Sequence, residues 1–183
     1  MPAASGDEPT VLTIGHSTRP LDELLALLKE HGVTLLVDVR TIPGSRKNPQ
    51  FNRDDLARAL EKAGVRYAHA AGLGGLRRAR PDSPNAGWRN PAFRGFADYM
   101  QTDAFQESLG SLIEMARKEC VAIMCAEALP WRCHRSLISD ALTVRGVRVA
   151  HIMGPGKTQP HQVTPWARVE GGRITYPPPL EPV

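Results

Sequence analysis

Short runs of apolar residues alternate with amphipathic helix patterns along most of the chain. The runs lie at residues 11–14, 33–37, 121–125 and 147–153, with a shorter and weaker one at 65–69. The stronger runs are continuous rather than alternating, which is typical of strands that are covered on both faces. Strands that alternate with helices form parallel sheets with right-handed crossovers. The sequence therefore predicts an α/β fold, a single domain with a mostly parallel five-stranded sheet flanked by helices.

Leucine, phenylalanine and other apolar side chains at helical spacing predict five helices. One ends at Gly32, one runs from Asn52 to Gly64, two lie between 93 and 116, and one ends at Gly146. A small C-terminal hairpin is predicted at 167–176, turning at the pair Gly171-Gly172.

The remaining segments lack periodicity. Residues 72–90 are too long for a simple connection, and loops of this length are commonly functional or mobile. We expect residues 1–10 to be a disordered tail, 11–176 to be the single domain, and 177–183 to be an extended tail.

Composition limits the environment and the partners. No stretch approaches the roughly 18 apolar residues of a membrane span, and the N-terminus lacks signal-peptide character. Three cysteines do not form a disulfide framework, so we expect a cytoplasmic protein without a membrane partner. Its 18 arginines against 5 lysines favour an anionic ligand, or reflect codon usage alone, and the net charge of +4 is too small to imply nucleic acid.

The polar residues that follow three of the predicted strands define a candidate site. With the expected strand order 3-2-1-4-5, residues 15–17 lie beside 125–127, with 38–40 next to them. Open α/β sheets bind ligands at such a switch point. The candidate catalytic residues are Glu127, His134, Cys125 and His16, and the candidate substrate-binding residues are Ser17, Asp38, Arg40, Ser45, Gly74, Gly75 and Arg135.

The segment 121–136 allows three interpretations. Cys125, Cys133 and His134 carry metal-ligand atoms, with His16 as a further ligand, but the spacing matches no common metal motif, and we expect no metal or cofactor. Alternatively Cys125 is a nucleophile whose pKa is lowered by Arg135 and a helix N-terminus. In the third interpretation both cysteines are buried packing residues. Glu127, His134 and Arg135 are three ionisable groups at the predicted switch point. Placing them there costs free energy unless they are paired or take part in the function.

The other candidates also have two interpretations each. Asp38 and Arg40 are either a structural ion pair or an anion-binding arginine with its orienting carboxylate. The turn at residues 15–17 and the pair Gly74-Gly75 are either close backbone turns or phosphate-binding loops. The arginine-rich segment 77–94, which includes Trp88, either binds single-stranded nucleic acid or is pinned to the domain.

Several of these pieces, in this order, resemble the bacterial and archaeal domain-of-unknown-function family four-eight-eight. The resemblance covers roughly residues 12–153 and implies an α/β fold, but it implies no activity. The pieces that carry it are Thr13-Ile-Gly-His-Ser17, Val37-Asp-Val-Arg40 with Pro43 and Ser45, Leu73-Gly-Gly75, Trp88-Arg-Asn90, Phe93-Arg-Gly-Phe-Ala-Asp-Tyr-Met100 and Met124-Cys-Ala-Glu127 with Cys133-His-Arg135.

The chain is also similar, at the level of the fold, to rhodanese-type sulfurtransferases. In both, a helix precedes a strand that ends in Asp-x-Arg, and a later strand ends in a cysteine before a helix. The loop from Cys125 to Arg135 is longer here than a rhodanese anion cradle, and Trp131 stands where an arginine would be expected.

These observations lead to three hypotheses. The first is an enzyme that binds a small anionic, phosphate- or nucleotide-like substrate through Arg40 and Arg135, with Glu127 or His134 transferring a proton. The second is a nucleic-acid-binding module that uses the arginine-rich segment. The third is a thiol sulfurtransferase that acts through Cys125.

Overall fold

The computed structural model of the protein describes residues 8–180, and six strands in this range form one sheet. The strands are β1 (Thr10–Gly15), β2 (Leu35–Asp38), β3 (Arg66–His69), β4 (Val121–Cys125), β5 (Arg148–Gly154) and β6 (Lys157–Pro160). Their order across the sheet is β3-β2-β4-β1-β5-β6. The first five run parallel, and β6 pairs antiparallel with β5. The predicted α/β class with a mostly parallel sheet is confirmed.

Five helices cover the two faces of this sheet, as the apolar spacing predicted. They are α1 (Leu21–Glu30), α2 (Arg53–Lys62), α3 (Pro91–Tyr99), α4 (Asp103–Lys118) and α5 (Arg135–Val144). The leucines of α1 and α2 share one buried cluster with residues of β1, β2 and β4. Helices α3, α4 and α5 pack into a second cluster on the opposite face. No helix among residues 8–180 is long and apolar enough to cross a membrane.

The expected strand order 3-2-1-4-5 was wrong in one respect. Strand β4 lies between β1 and β2, whereas the sequence analysis placed β1 between β2 and β4. The apolar periodicity could not separate the two arrangements, because β4 is buried at all five positions and suits any central place in a sheet. The predicted neighbour relation of β1 and β4 is confirmed, and Gly15 pairs in register with Cys125.

The direction of the connections explains why the ligand crevice lies at the end of β4. From β1 to β3 the chain moves toward one edge of the sheet, and from β3 to β5 it moves back. Right-handed crossovers then place α1 and α2 on one face and α3 to α5 on the other. The loop after β4 therefore leaves toward the face opposite to the loops after β1 and β2, which opens a crevice at the carboxyl end of β4.

The C-terminal part adds a strand that the sequence did not reveal. All four residues of β6 are exposed, and without a buried face they give no apolar pattern. The predicted hairpin is confirmed as β7 (Arg168–Glu170) and β8 (Arg173–Thr175). Its turn contains Gly171 and Gly172, which have φ angles of 57° and 78°.

The expected tails at 1–10 and 177–183 fall partly outside the residues that the structure describes. Residues 1–7 and 181–183 lie outside the described residues, and so does most of the expected disordered tail at 1–10. The first strand already begins at Thr10, and residues 177–180 have no regular secondary structure.

The aperiodic segment predicted at 72–90 contains a short 3₁₀ turn at its start and otherwise no helix or strand. Asp98 on α3 anchors it, accepting hydrogen bonds from the backbone of Arg80 and from the side chains of Ser83 and Asn85. Trp88 packs edge-on against Phe93. The loop is thus attached to the domain at several points.

Candidate functional site

A cavity of about 380 Å³ opens at the carboxyl end of β4, where the crevice is expected. Cys125 and Cys133 contribute thiols to it, and Glu127 contributes a carboxylate. The full lining is Arg40, Thr41, Ile42, Gly44, Gly75, Leu76, Asn90, Ala92, Phe93, Cys125, Ala126, Glu127, Arg132, Cys133 and His134.

The turn after β1 is bonded directly to the loop after β4. The His16 N–H donates to the Cys125 carbonyl at 3.0 Å, and the Ser17 N–H donates to the Ala126 carbonyl at 2.9 Å. Ser17 has a positive φ of 47°, which is uncommon for a residue other than glycine. The contact is so close that a Cβ on Gly15 would lie 1.8 Å from the Glu127 carbonyl oxygen.

His16 is buried in this turn and has both ring nitrogens engaged. Its Nδ1 lies 2.9 Å from the Ser17 carbonyl, so Nδ1 carries the proton, and Nε2 is 3.4 Å from Nη1 of Arg40. The ring stacks on Phe51 at 4.4 Å between centroids. Burial lowers the pKa of His16, and the nearby Arg40 charge lowers it further. His16 is therefore a neutral acceptor for Arg40 at neutral pH.

Asp38 and Arg40 form a buried ion pair after β2. The Arg40 Nε and Nη2 donate to the two Asp38 carboxylate oxygens at 2.9 and 2.7 Å. Nη2 also donates to the Phe51 carbonyl, and the Tyr67 hydroxyl donates to Asp38 at 2.6 Å. Burial and this hydrogen bond raise the pKa of Tyr67. The charge of Arg40 is thus largely matched by Asp38, although Arg40 also lines the cavity.

Cys125, the last residue of β4, and Cys133, in the loop that follows, both line the cavity and contact each other. The Sγ atoms of Cys125 and Cys133 are 2.9 Å apart, and the Arg135 backbone N–H donates to the Cys133 sulfur at 3.3 Å. A hydrogen bond from Cys133 lowers the pKa of Cys125 to about 7, with help from the Arg135 charge and against the effect of burial. The pKa of Cys133 is raised well above its usual value because Cys133 donates that hydrogen bond and is buried. Cys125 is consequently the more acidic thiol.

Arg135, the first residue of α5, is a buried cation with few partners. Only 1% of its surface is exposed, and its Nη2 donates to the Ala128 carbonyl at 3.2 Å. Its Nε and Nη1 are buried without a hydrogen-bond partner among residues 8–180. No ion pair in that range includes Arg135. A buried charge is costly unless an opposite charge balances it, and the Cys125 thiolate is available to do so.

His134 and the two glycines hold the cavity wall together. The His134 Nε2 donates to the Val39 carbonyl at 2.8 Å, and burial lowers the pKa of the ring. A Cβ on Gly75 would lie 2.6 Å from the His134 Nδ1, and a Cβ on Gly74 would lie 2.9 Å from the Thr41 Cα. Both glycines permit close packing of the segment 73–75 against neighbouring segments.

Glu127 is exposed and faces a second, smaller cavity as well as the first. This second cavity of about 300 Å³ is also lined by His16, Ser17 and Ser45, together with Arg46 and Lys47. The Ser45 hydroxyl accepts the Asn48 N–H at 3.0 Å. Glu127 takes part in none of the ion pairs within the described part of the chain.

The sequence of the chain matches one known protein family. The model of a family described as a domain of unknown function, DUF488, matches residues 20–142. The chain belongs to this family. No curated protein and no solved structure matches the chain.

The resemblance to this family is thereby confirmed, and the DUF488 match spans α1 to most of α5. The likeness to rhodanese-type sulfurtransferases stays a hypothesis, because no comparison tests it. Strand β1 precedes the matched range, yet its turn at residues 15–17 closes one side of the DUF488 site.

The structure brings most of the predicted site residues of this DUF488 protein together, around the two cavities. These residues form two sets, one around each cavity, and Glu127 belongs to both. Arg40, Gly75, Cys125, Glu127 and His134 line the larger cavity, and His16, Ser17, Ser45 and Glu127 line the smaller one. Asp38, Gly74 and Arg135 line neither cavity, but each contacts a lining residue. Asp38 pairs with Arg40, Gly74 packs against Thr41, and the Arg135 backbone N–H donates to the Cys133 sulfur.

Cys133 was not among the predicted site residues, although it contacts Cys125 directly. The sequence analysis considered Cys133 as a metal ligand or as a buried packing residue. A 3₁₀ turn at Pro130–Arg132 brings the chain back toward β4, and the proline at its first position was the available signal. Arg132 was missed as well, and it lines the cavity as an exposed cation.

No group of three or more histidine, cysteine, aspartate or glutamate side chains within residues 8–180 could hold a metal ion. Both thiols point at each other across 2.9 Å, while the nitrogens of His16 and the Nε2 of His134 are engaged with backbone or Arg40.

The arginine-rich segment 77–94 uses several of its side chains within the domain. Arg77 lies over the Tyr99 ring at 3.6 Å, and Arg94 donates to the Trp88 carbonyl. Trp88 is enclosed by Phe93, Trp166 and Tyr176. These contacts are those of a loop that is pinned to the domain, and binding to nucleic acid stays a prediction.

Proposed function

We propose that this protein is an enzyme that binds a small anionic substrate in the larger cavity and attacks it with the Cys125 thiolate. One observation carries the proposal. Cys125 lines the cavity together with Cys133, its sulfur lies 2.9 Å from the Cys133 sulfur, and its pKa is lowered to about 7. About half of such a thiol is ionised at neutral pH, and the thiolate is the nucleophilic form.

The surroundings of Cys125 favour an anion. Arg132 lines the cavity as an exposed cation, and the buried Arg135 guanidinium adds positive charge behind the thiol. The charge of Arg135 is shielded from water, where charges interact more strongly than in bulk solvent. Arg40 contributes less, because Asp38 matches its charge at 2.7 Å.

Transfer of sulfane sulfur is the reaction that best suits a small anionic donor and an ionised thiol. In the first step the Cys125 thiolate attacks the outer sulfur of a donor such as thiosulfate. A bond forms between the two sulfur atoms, the donor's sulfur–sulfur bond breaks, and sulfite leaves with its electron pair. Cys125 is then a persulfide, and a nucleophilic acceptor such as cyanide removes the outer sulfur as thiocyanate and restores the thiolate.

The test combines an assay with a mass measurement. Wild-type protein incubated with thiosulfate and then cyanide is expected to form thiocyanate, and after thiosulfate alone its intact mass is expected to increase by one sulfur atom. Cys125→Ser should abolish both signals. Cys120→Ser is the matched control, since Cys120 lies at the opposite end of β4, bonded to the His31 carbonyl. Alkylation of Cys125 should reach half its maximal rate near pH 7.

Glu127 supports a second candidate function, proton transfer to or from a phosphate-like substrate. Its carboxylate is exposed between the two cavities and takes part in no ion pair among the described residues. For a substrate of this class, Glu127→Gln should abolish turnover while Cys125→Ser leaves it intact. Such a result would remove Cys125 from the mechanism and contradict the thiolate proposal.

A further inference from the structure

The two cavity thiols are already close to bonding distance. Their sulfurs are 2.9 Å apart, whereas the sulfurs of a disulfide are separated by about 2.05 Å. Closing the gap requires a movement of less than about 1 Å, and the 3₁₀ turn that carries Cys133 up to the start of α5 is the segment that would move.

The two sulfurs also differ in a way that suits a sequential reaction. Cys125 is the more acidic thiol, and Cys133 keeps its proton and donates a hydrogen bond to the Cys125 sulfur. In a dithiol of this kind the acidic sulfur attacks first, and the protonated neighbour reacts second. The third cysteine, Cys120, lies at the other end of β4 and its pKa is raised by burial.

We infer that Cys125 and Cys133 form a two-electron dithiol that reduces small hydroperoxides and ends as an intramolecular disulfide. The inference rests on the nucleophilic Cys125 of the proposed function, and it adds a substrate class and a role for Cys133. Cavity access, the contact between the two sulfurs and the nearby buried arginine carry it together.

The reaction balances without a further reagent. The Cys125 thiolate attacks one peroxide oxygen, the oxygen–oxygen bond breaks, and the leaving oxygen takes a proton to become an alcohol or, from hydrogen peroxide, water. Cys125 is now a sulfenic acid. The Cys133 sulfur then attacks the Cys125 sulfur, giving up its own proton, and the sulfenic oxygen leaves as water. The two thiols lose two electrons and the peroxide gains them.

The start of α5 supports the second step. Cys133 must carry negative charge as its proton leaves, and the Arg135 backbone N–H already donates to its sulfur at 3.3 Å. The N-terminus of a helix and a hydrogen bond from its backbone both stabilise an anion there. The Arg135 guanidinium, with two unpartnered nitrogens, lies close enough to lower the pKa values of both thiols.

The test uses hydrogen peroxide on the reduced full-length protein, followed by removal of the oxidant and unfolding. Wild-type protein should lose two of its three titratable thiols and the mass of two hydrogen atoms, and dithiothreitol should restore both. A peptide map should contain the Cys125–Cys133 crosslink. Cys120→Ser is the matched control, and it should form the same crosslink with no free thiol remaining.

Cys133→Ser tests the order of the steps. Without the second thiol, peroxide should leave a sulfenic acid on Cys125 that dimedone traps, and no intramolecular disulfide should form. A peroxide-treated wild-type protein that keeps all three thiols would overturn the inference, as would a disulfide that includes Cys120. If wild-type protein forms the persulfide with thiosulfate but not the disulfide with peroxide, the dithiol inference fails and the proposed function stands. A Cys125 that reacts with neither reagent removes both.

Discussion

At the scale of single residues, Gly15 sets the distance between the two loops that form the site. A Cβ at this position would lie 1.8 Å from the Glu127 carbonyl oxygen and 2.9 Å from the Ala128 Cα. Since real atoms do not approach so closely, only glycine lets β1 continue beside the loop after β4. The hydrogen bonds of His16 and Ser17 to that loop depend on the same approach.

Gly15→Ala should therefore damage both stability and the site. The new methyl group meets backbone atoms, which cannot rotate away, so we expect a loss of about 2–3 kcal/mol in the free energy of unfolding. The displaced loop should also raise the pKa of Cys125, measured as a shift of the alkylation profile to higher pH. Urea denaturation gives the stability, with Gly110→Ala as the control.

Gly110 lies within α4, and a Cβ there meets nothing within 4 Å. Alanine favours helix by about 1 kcal/mol over glycine, so this control should be neutral or more stable than wild type. If both alanine variants behave alike, the close approach at Gly15 does not constrain the site.

At the scale of secondary-structure elements, α5 joins the site to the C-terminal segment. Its first residue, Arg135, lies behind the cavity, and Asp140 near its middle is fully buried. Asp140 accepts hydrogen bonds from the His161 ring, from the backbone and hydroxyl of Thr164, and from the Tyr176 hydroxyl. One carboxylate on α5 thus binds three residues of the C-terminal segment.

Asp140→Asn should loosen that segment before the rest of the fold. The amide that replaces one carboxylate oxygen is a donor, so it cannot satisfy all of these donors. We expect a loss of about 2–3 kcal/mol in the free energy of unfolding, and faster amide hydrogen exchange at 161–176 than in the central strands. Asp54→Asn, at an exposed position in the first turn of α2, should cost less than about 1 kcal/mol. Equal exchange at 161–176 in wild type and Asp140→Asn would contradict this role.

The elements themselves were predictable where burial leaves a pattern in the sequence. The strands and helices of the two cores are continuous apolar runs or helical stripes, and they were recognised. Strand β6 was missed because its four residues are exposed. The network of Asp140, His161, Thr164 and Tyr176 was also missed, since it joins residues up to 36 positions apart and no local periodicity records it.

The placement of the candidate site residues was predictable to a similar extent and for a similar reason. Residues at strand ends, such as His16, Arg40 and Cys125, share one edge of a parallel sheet whatever the strand order. Their pairings were not predictable from spacing alone. The choice between a structural and an anion-binding Arg40 depended on the placement of Asp38 and Tyr67, and the role of Cys133 depended on the path of the 3₁₀ turn.

At the scale of the whole molecule, the fold buries histidines in their neutral form. Burial lowers the pKa of His151 to about 3, with a smaller effect of the neighbouring His161, and it also lowers the pKa values of His16 and His134. His151 is buried, and its two ring nitrogens lie 2.6 Å from the Thr13 hydroxyl and 2.9 Å from the His161 ring. All three rings take up protons more readily in the unfolded chain, where the pKa is about 6.5.

The stability of the protein should therefore fall as the solution becomes acidic. Between the unfolded pKa of about 6.5 and the folded pKa of about 3, the unfolded state binds the additional proton, so the free energy of unfolding decreases as pH decreases. His151 alone should account for a loss of about 2 kcal/mol from pH 7 to pH 5, at about 1.4 kcal/mol per pKa unit. Urea denaturation at the two pH values measures this loss. The glutamine of His151→Gln binds no proton between pH 7 and pH 5. Whatever the stability of this variant at pH 7, its free energy of unfolding should therefore fall by about 2 kcal/mol less than that of wild type over this range. An equal loss in wild type and His151→Gln would mean that His151 titrates normally in the folded protein.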